Sequence, residues 1–194
     1  MLASANPGKL RELAALLAPL QVQLHSLAEL GIPSPAETGT TFLANAVLKA
    51  RHAAARARLP ALADDSGLEV DALGGRPGVW SARYAGVGAT DEQNNLRLIA
   101  DLNGVPGEQR TARYRCVLAL VRGPNDRAPI LAQGSWEGRI GHEPVGNGGF
   151  GYDPYFIPAG LNCTAAELSP ARKNALSHRG AALRDLIARL GNWA

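Results

Sequence analysis

A chain of 194 residues is long enough to bury a core without staples and is sized for one domain, or one domain in two lobes. Its two cysteines, Cys116 and Cys163, are far apart and lack metal-ligand spacing, which excludes a disulfide framework and a zinc site and is expected of free thiols in a reducing cytoplasm. Twenty Lys and Arg against 17 Asp and Glu give a formal charge of +3, enough to suit an anionic ligand but without a dense nucleic-acid-binding stripe, and no apolar run approaches the ~18–20 residues that span a bilayer.

The pattern from Asn6 to about Pro19 is helical, with Leu10, Leu13, Leu17 and Leu20 at helical spacing, Asn6 at the N-cap and Pro7 at the first helical position. Ser4-Ala5-Asn6-Pro7-Gly8-Lys9 therefore leads into a helix N-terminus, where backbone N–H groups and the macrodipole suit a phosphate. It is not a Walker A loop, because Ala3 stands where its first glycine belongs and Leu10 follows Lys9. Taken alone, the segment reads more readily as a well-capped surface helix with a solvated lysine. Residues 21–27 alternate like a strand, and a loop over 33–39 follows.

Thr41 caps a second helix to about Arg58, with an expected apolar stripe of Leu43, Val47, Ala50 and Ala54. Asn45 and Lys49, four residues apart, share a face, and with Glu37 they offer amide, ammonium and carboxylate to one cavity, or else form an ordinary solvated face.

Leu59-Pro60-Ala61-Leu62-Ala63 reads as a short buried strand ending at Asp64-Asp65-Ser66-Gly67, an acidic turn. Adjacent ionised carboxylates repel and lose hydration unless a cation or donors compensate, so the pair points to a metal-assisted site, with a plain polar turn as the other reading. Leu68-Glu69-Val70 continues extended, Gly74–Gly78 is a loop, and Thr90 caps a helix through about Leu102. A strand over 112–121 and a partner from Ile130 to Trp136 form a hairpin across Pro124-Asn125-Asp126.

Gly146-Asn147-Gly148-Gly149-Phe150-Gly151 matches G-x-G-x-x-G, but Tyr152-Asp153-Pro154 follows where a helix should open, so a dinucleotide fold is rejected. What remains is a glycine-dense loop that presents Phe150, Gly151, Tyr152 and Asp153, its aromatics free to stack on a base or tucked into a core. Lys173 and Ser177-His178-Arg179 precede a last helix whose core side is Leu183, Leu186, Ile187 and Leu190, with Ser177 at its N-cap. His178 and Arg179 could grip a carbonyl or phosphate, or serve as polar neighbours of the cap. Strands interleaved with helices and a central hairpin predict an α/β domain with a mixed sheet.

In this order, Ser4–Lys9, Glu37–Phe42 with Asn45 and Lys49, Asp64–Leu68, Val70–Leu73, Pro77–Val79, Ser81–Gly86, Gly149–Pro154, Ala166–Leu168, Lys173-Asn174 and Ser177–Arg179 resemble the inosine triphosphatase family over nearly the whole chain. The resemblance implies one domain over 1–194, a two-lobed α/β fold with a long mixed sheet flanked by helices, a nucleotide groove between the lobes, and a homodimer. It also implies magnesium-dependent cleavage of ITP, dITP or XTP to the monophosphate and pyrophosphate. Ser4 stands where the family usually has Thr, and only three residues precede it, so either the first strand is short or the chain starts inside the natural one.

On that resemblance Glu37 and Asp65 would hold magnesium, and Asp65 would also orient or deprotonate the attacking water, with Asp64 able to share the task. Lys9, Lys49 and Lys173 would neutralise the triphosphate, with Ser4, Asn6 and Ser66 donating hydrogen bonds. Phe150 would stack on the purine while donors at His178 and Arg179 meet a 6-oxo group and reject adenine. Two other readings stay open: a Maf-type pyrophosphatase of pyrimidine or modified nucleotides, and a basic nucleic-acid-binding module.

Overall fold

The computed structural model describes residues 1–190, so the expected domain limit at 194 lies outside the described residues. Among them are five α-helices and four strands: α1 (Pro7–Leu17), α2 (Phe42–Ala57), β1 (Ala61–Val70), α3 (Asp91–Asp101), β2 (Thr111–Val121), β3 (Ile130–Ile140), β4 (Phe156–Pro158), α4 (Pro170–Leu176) and α5 (His178–Leu190). The sheet runs β1-β2-β3-β4, with β4 antiparallel to β3. Two compact units divide the chain: Met1–Asp65, Cys116–Gly134 and the segment from Arg179 form one, and Ser66–Arg115 with Ser135–His178 form the other.

The first unit is layered. Along β1, Leu62 packs with Leu13 and Leu17 of α1 and Leu183 and Leu186 of α5, whereas Ala61 and Ala63 pack with Ala46, Ala50, Ala53 and Ala54 of α2. Successive strand residues point to opposite faces, so this sequence buries both sides of its strand, one against leucines and the other against an alanine-lined helix. Small residues on α2 let its backbone approach the sheet closely.

Three helix starts follow from local chemistry. Asn6 caps α1 by accepting from the Lys9 N–H, Thr41 caps α2 by accepting from Ala44, and Thr90 forms a capping box with Gln93 at the head of α3. Each cap satisfies N–H groups that have no partner inside the helix.

Several expectations are corrected. Residues 21–27 form no strand: Gln21 is left-handed at φ 53°, Val22 is 52% exposed, and only Ser26 makes an isolated parallel bridge, to Leu2. The buried face of α2 is rotated from the expected stripe, because Leu43 is exposed while Asn45 and Lys49 are buried. The acidic turn does not exist. β1 runs unbroken from Ala61 to Val70, with Asp64 and Asp65 in its middle. One helix was also absent from the sequence reading: α4, capped by Ser169, precedes Ser177, an extended residue between α4 and α5.

Before α1, Leu2 makes isolated parallel bridges to Ser26 and Leu62. In the second unit, Leu68 and Val70 of β1, Leu98 and Leu102 of α3, Tyr114 of β2, Trp136 and Ile140 of β3 and Phe156 of β4 make one core. No helix among the described residues is long and apolar enough to cross a membrane.

Candidate active site

Alternation along β1 decides the first cluster. Asp64 shares its face with Leu62, toward α1 and α5, where Lys9 Nζ lies 2.6 Å from Oδ1 and Arg179 Nε 3.2 Å from Oδ2. Cys116 on β2 donates its Sγ–H to the same Oδ2 at 3.1 Å, and Arg179 also pairs with Glu12. Asp64 is 1% exposed, yet Arg179, then Lys9 and Lys49, outweigh the cost of burial and hold its carboxyl well below the usual range.

Asp65 points the other way, toward α2. Its Oδ1 is 2.6 Å from Lys49 Nζ and its Oδ2 accepts from Asn45 Nδ2 at 3.3 Å. Lys49 Nζ is also 3.0 Å from Glu37 Oε1, so a single ammonium draws two carboxylates together. Burial raises the Asp65 pKa, against the pull of Lys49 and Lys9, and Glu37 raises it further. Burial opposes the Lys49 charge, but Asp65, Asp64 and Glu37 prevail and hold its pKa above the ordinary value. The adjacent carboxylates thus differ in kind: Asp64 is a fixed anion, and Asp65 is biased toward taking a proton.

The loop that carries Glu37 is pinned by Gly39, whose N–H donates to Asn45 Oδ1 at 2.8 Å. A Cβ at Gly39 would collide with that oxygen and with Ala44.

The expected phosphate loop is largely bonded to itself. Ser4 Oγ accepts from the Asn6 N–H at 3.2 Å and Asn6 Oδ1 from the Lys9 N–H at 3.1 Å, while Ala5 and Pro7 are exposed and Gly8 is buried. Its side chain that reaches the acidic pair is Lys9. Ser66, next along β1, is half-buried.

The second unit holds the remaining candidates. Asp153 is buried, accepting from Lys173 Nζ, from the Phe150 N–H at 2.8 Å and from Tyr114 Oη at 3.2 Å. Lys173 Nζ lies 4.7 Å from the centroid of the Phe150 ring. His178 is buried and stacked on Tyr114, with centroids 4.7 Å apart and planes 8° from parallel. Gly151 is held at both ends, its N–H donating to Asp91 Oδ2 at 2.6 Å and its carbonyl accepting from Asn95 Nδ2 at 2.9 Å.

Two expectations about these residues change. The glycine-dense loop does not present Tyr152 and Asp153: Tyr152 is core, its hydroxyl donating to the Ser81 carbonyl at 2.7 Å, Asp153 is buried, and Phe150 and Gly151 are half-buried. Of the adjacent pair expected to face the base, the Arg179 guanidinium pairs with Asp64 and Glu12 and the His178 imidazole stacks on Tyr114.

Sequence reasoning passed over Glu12, Cys116 and Tyr114. Glu12 lies three residues after Lys9, so the two share a helix face, a signal that was available. Cys116 and Tyr114 sit in an apolar alternation and read as core until their partners are seen.

Among the described residues no group of three or more His, Cys, Asp and Glu gathers to hold a metal. Glu37 and Asp65, two oxygen donors converging on one cationic point, still suit a hard cation that takes one or two carboxylates and completes its shell with water and phosphate.

The profile of the Ham1 family matches residues 1–189. The chain belongs to the Ham1 family. Among similar proteins, the dITP/XTP pyrophosphatase of Pectobacterium atrosepticum is 55% identical, over 99% of this chain and 98% of its own length. That of Photorhabdus laumondii is 53% identical over the same shares. Of solved structures, a HAM1 protein from Coxiella burnetii superposes with TM-score 0.89 at 48% identity, covering 98% of this chain and 96% of that one. The Staphylococcus aureus Ham1 protein gives 0.83 at 38%, covering 100% and 98%. This Ham1-family member therefore has the α/β architecture its sequence led one to expect.

Proposed function

We propose that the chain hydrolyses non-standard purine nucleoside triphosphates, namely ITP, dITP and XTP, to the monophosphate and pyrophosphate, and so cleanses the nucleotide pool. Its relatives bear the name dITP/XTP pyrophosphatase over almost their whole length. The observation that carries the chemistry is the divergence of two adjacent carboxylates within a cluster of cations, Asp64 onto Lys9 and Arg179 and Asp65 onto Lys49, which also holds Glu37.

Asp65 is the group that orients the attacking water; a carboxylate that also holds a metal ion is a poor base, so acidifying that water falls to the ion. Asp64 stays ionised and fixes Lys9 and Arg179, so both cations keep their positions when a triphosphate arrives. Lys9 and Lys49 meet phosphate oxygens, with Ser4, Asn6 and Ser66 adding hydrogen bonds. Catalysis is then positioning and electrostatics, with no covalent nucleophile.

This cluster sets four carboxylates, Glu12, Glu37, Asp64 and Asp65, against three cations, Lys9, Lys49 and Arg179. With all of them ionised it is net negative and would repel a polyphosphate, which supports magnesium as cofactor with Glu37 and Asp65 as its protein ligands. When bound, the ion would acidify water and neutralise the departing pyrophosphate. Glu37 and Asp65 would then exchange Lys49 for that ion, leaving the lysine to the phosphates.

In the second unit Phe150 would stack on the purine, and His178 would donate to its 6-oxo group. Lys173, held by Asp153, supports the Phe150 ring from its position above it. The whole chain, 1–194, would act as one two-lobed domain in a cytoplasmic homodimer.

The deciding experiment measures pyrophosphate and orthophosphate released from ITP, dITP, XTP, ATP, UTP and dTTP with magnesium. Pyrophosphate from the first three, well above the others, is the expected result. Orthophosphate alone, or a preference for UTP or dTTP as a Maf-type enzyme would show, overturns the reading.

A further inference from the structure

One side chain touches the base-side cluster at two places. Tyr114 of β2 lays its ring flat on His178 at 4.7 Å and meets Phe156 edge-on at 4.7 Å, while its hydroxyl donates to Asp153 Oδ1 at 3.2 Å. The other oxygen of Asp153 takes Lys173 Nζ and the Phe150 N–H. Trp136 extends the stack, its ring 6.5 Å from the imidazole and inclined by 19°. Tyr114 is 8% exposed, so its own contact with a ligand is small.

An imidazole offers a donor on one ring nitrogen and, when neutral, an acceptor on the other. A ring free to turn can therefore satisfy a 6-oxo group or a 6-amino group, and it distinguishes neither. Discrimination is helped when its plane is fixed before the base arrives. Stacking on a buried aromatic that is itself tied at its far end supplies that restraint, because tilting the imidazole out of this plane about its Cβ–Cγ bond would break the parallel contact.

We infer that Tyr114 is a positioning residue for base selection: its ring fixes the His178 imidazole, and its hydroxyl, through Asp153, fixes Phe150 and Lys173. The inference rests on the proposed pyrophosphatase reading. It separates two roles within one residue, the ring acting on selectivity and the hydroxyl on nucleotide affinity.

The test compares Tyr114→Phe, which keeps the ring and removes the hydroxyl, with Tyr114→Leu and Tyr114→Met, which remove the π face. Met serves as the better volume match should Leu fail to fold, and circular dichroism and thermal melts establish folding first. Tyr114→Phe is expected to keep the ITP/ATP ratio of kcat/KM within about twofold while raising KM for ITP. Tyr114→Met and Tyr114→Leu are expected to lower that ratio about tenfold, chiefly through faster ATP hydrolysis. A folded Met or Leu variant with the wild-type ratio overturns the inference, and so does a Phe variant that loses selectivity as fully as they do. Wild-type protein that fails to prefer ITP over ATP overturns the pyrophosphatase reading itself, a result distinct from either.

Discussion

Asp64 and Asp65 are consecutive on one strand, yet their carboxylates serve different helices: Asp64 binds Lys9 of α1 and Arg179 of α5, and Asp65 binds Lys49 of α2. The two-residue period of β1 makes this unavoidable, since neighbouring side chains leave opposite faces of the sheet. It also resolves the repulsion expected of adjacent carboxylates, because each has its own cation.

The pair should respond oppositely to neutralisation. Asp64→Asn removes the partner of a buried guanidinium and a lysine, a loss of about 3–5 kcal/mol by analogy with other broken buried pairs. Asp65→Asn removes a charge that burial disfavours, so the melting temperature should hold or rise while turnover falls about 10²–10⁴-fold. Thermal melts and ITP assays on both variants check this, and equal destabilisation of the two contradicts it.

Acid stability carries the signature of Asp64. Its folded pKa is depressed, so its contribution is present above the unfolded value, about 4, and is lost as pH falls through the folded one. Urea midpoints should therefore decline below about pH 4 in the wild type, with a shallower decline in Asp64→Asn. Parallel declines would remove Asp64 from that role. Asp65 has the reverse sign: its folded pKa is raised, so its contribution is present below the unfolded value and lost as pH rises through the folded one.

Gly39→Ala tests the loop that aims Glu37. The added Cβ meets Asn45 Oδ1 and Ala44, and the bond from the Gly39 N–H to Asn45 must shift. A stability loss of about 1–3 kcal/mol is expected, with a higher magnesium concentration needed for half-maximal turnover. An unchanged magnesium dependence in a folded variant would detach this loop from the metal.

Removing magnesium with a chelator should abolish pyrophosphate release, and adding it back should restore it. Glu37→Gln should shift the magnesium titration to higher concentration while leaving the ITP/ATP ratio alone. His178→Ala should do the converse, relaxing the ratio with little change in magnesium dependence. Steady-state kinetics over a magnesium series distinguishes the two, and overlapping effects would refute the division of labour between the units.

Parts of this molecule were legible before folding because their causes are local. Asn6, Thr41 and Thr90 cap helices through side chains that reach only three residues along the chain. Lys9, Glu37, Lys49 and Asp65 were identifiable as a charged set from their resemblance to one family, and the structure brings these four into one unit. Residues 21–27 misled because alternation without a partner strand gives no ladder, and Leu43 misled because α2 packs by Ala46, Ala50, Ala53 and Ala54 against Ala61 and Ala63.

The chain by itself determined where α1, α2 and α3 start, that the fold is α/β, and which charges are available, since these depend on near neighbours and periodicity. Tertiary structure alone decided that Asp64 and Asp65 lie inside a continuous strand, that Arg179 pairs with Asp64, and that Tyr114 lies against His178. Burial and pairing depend on residues more than a hundred positions apart, as with Asp64 and Arg179, and the free energy of a buried charge is fixed only when its counter-charge arrives.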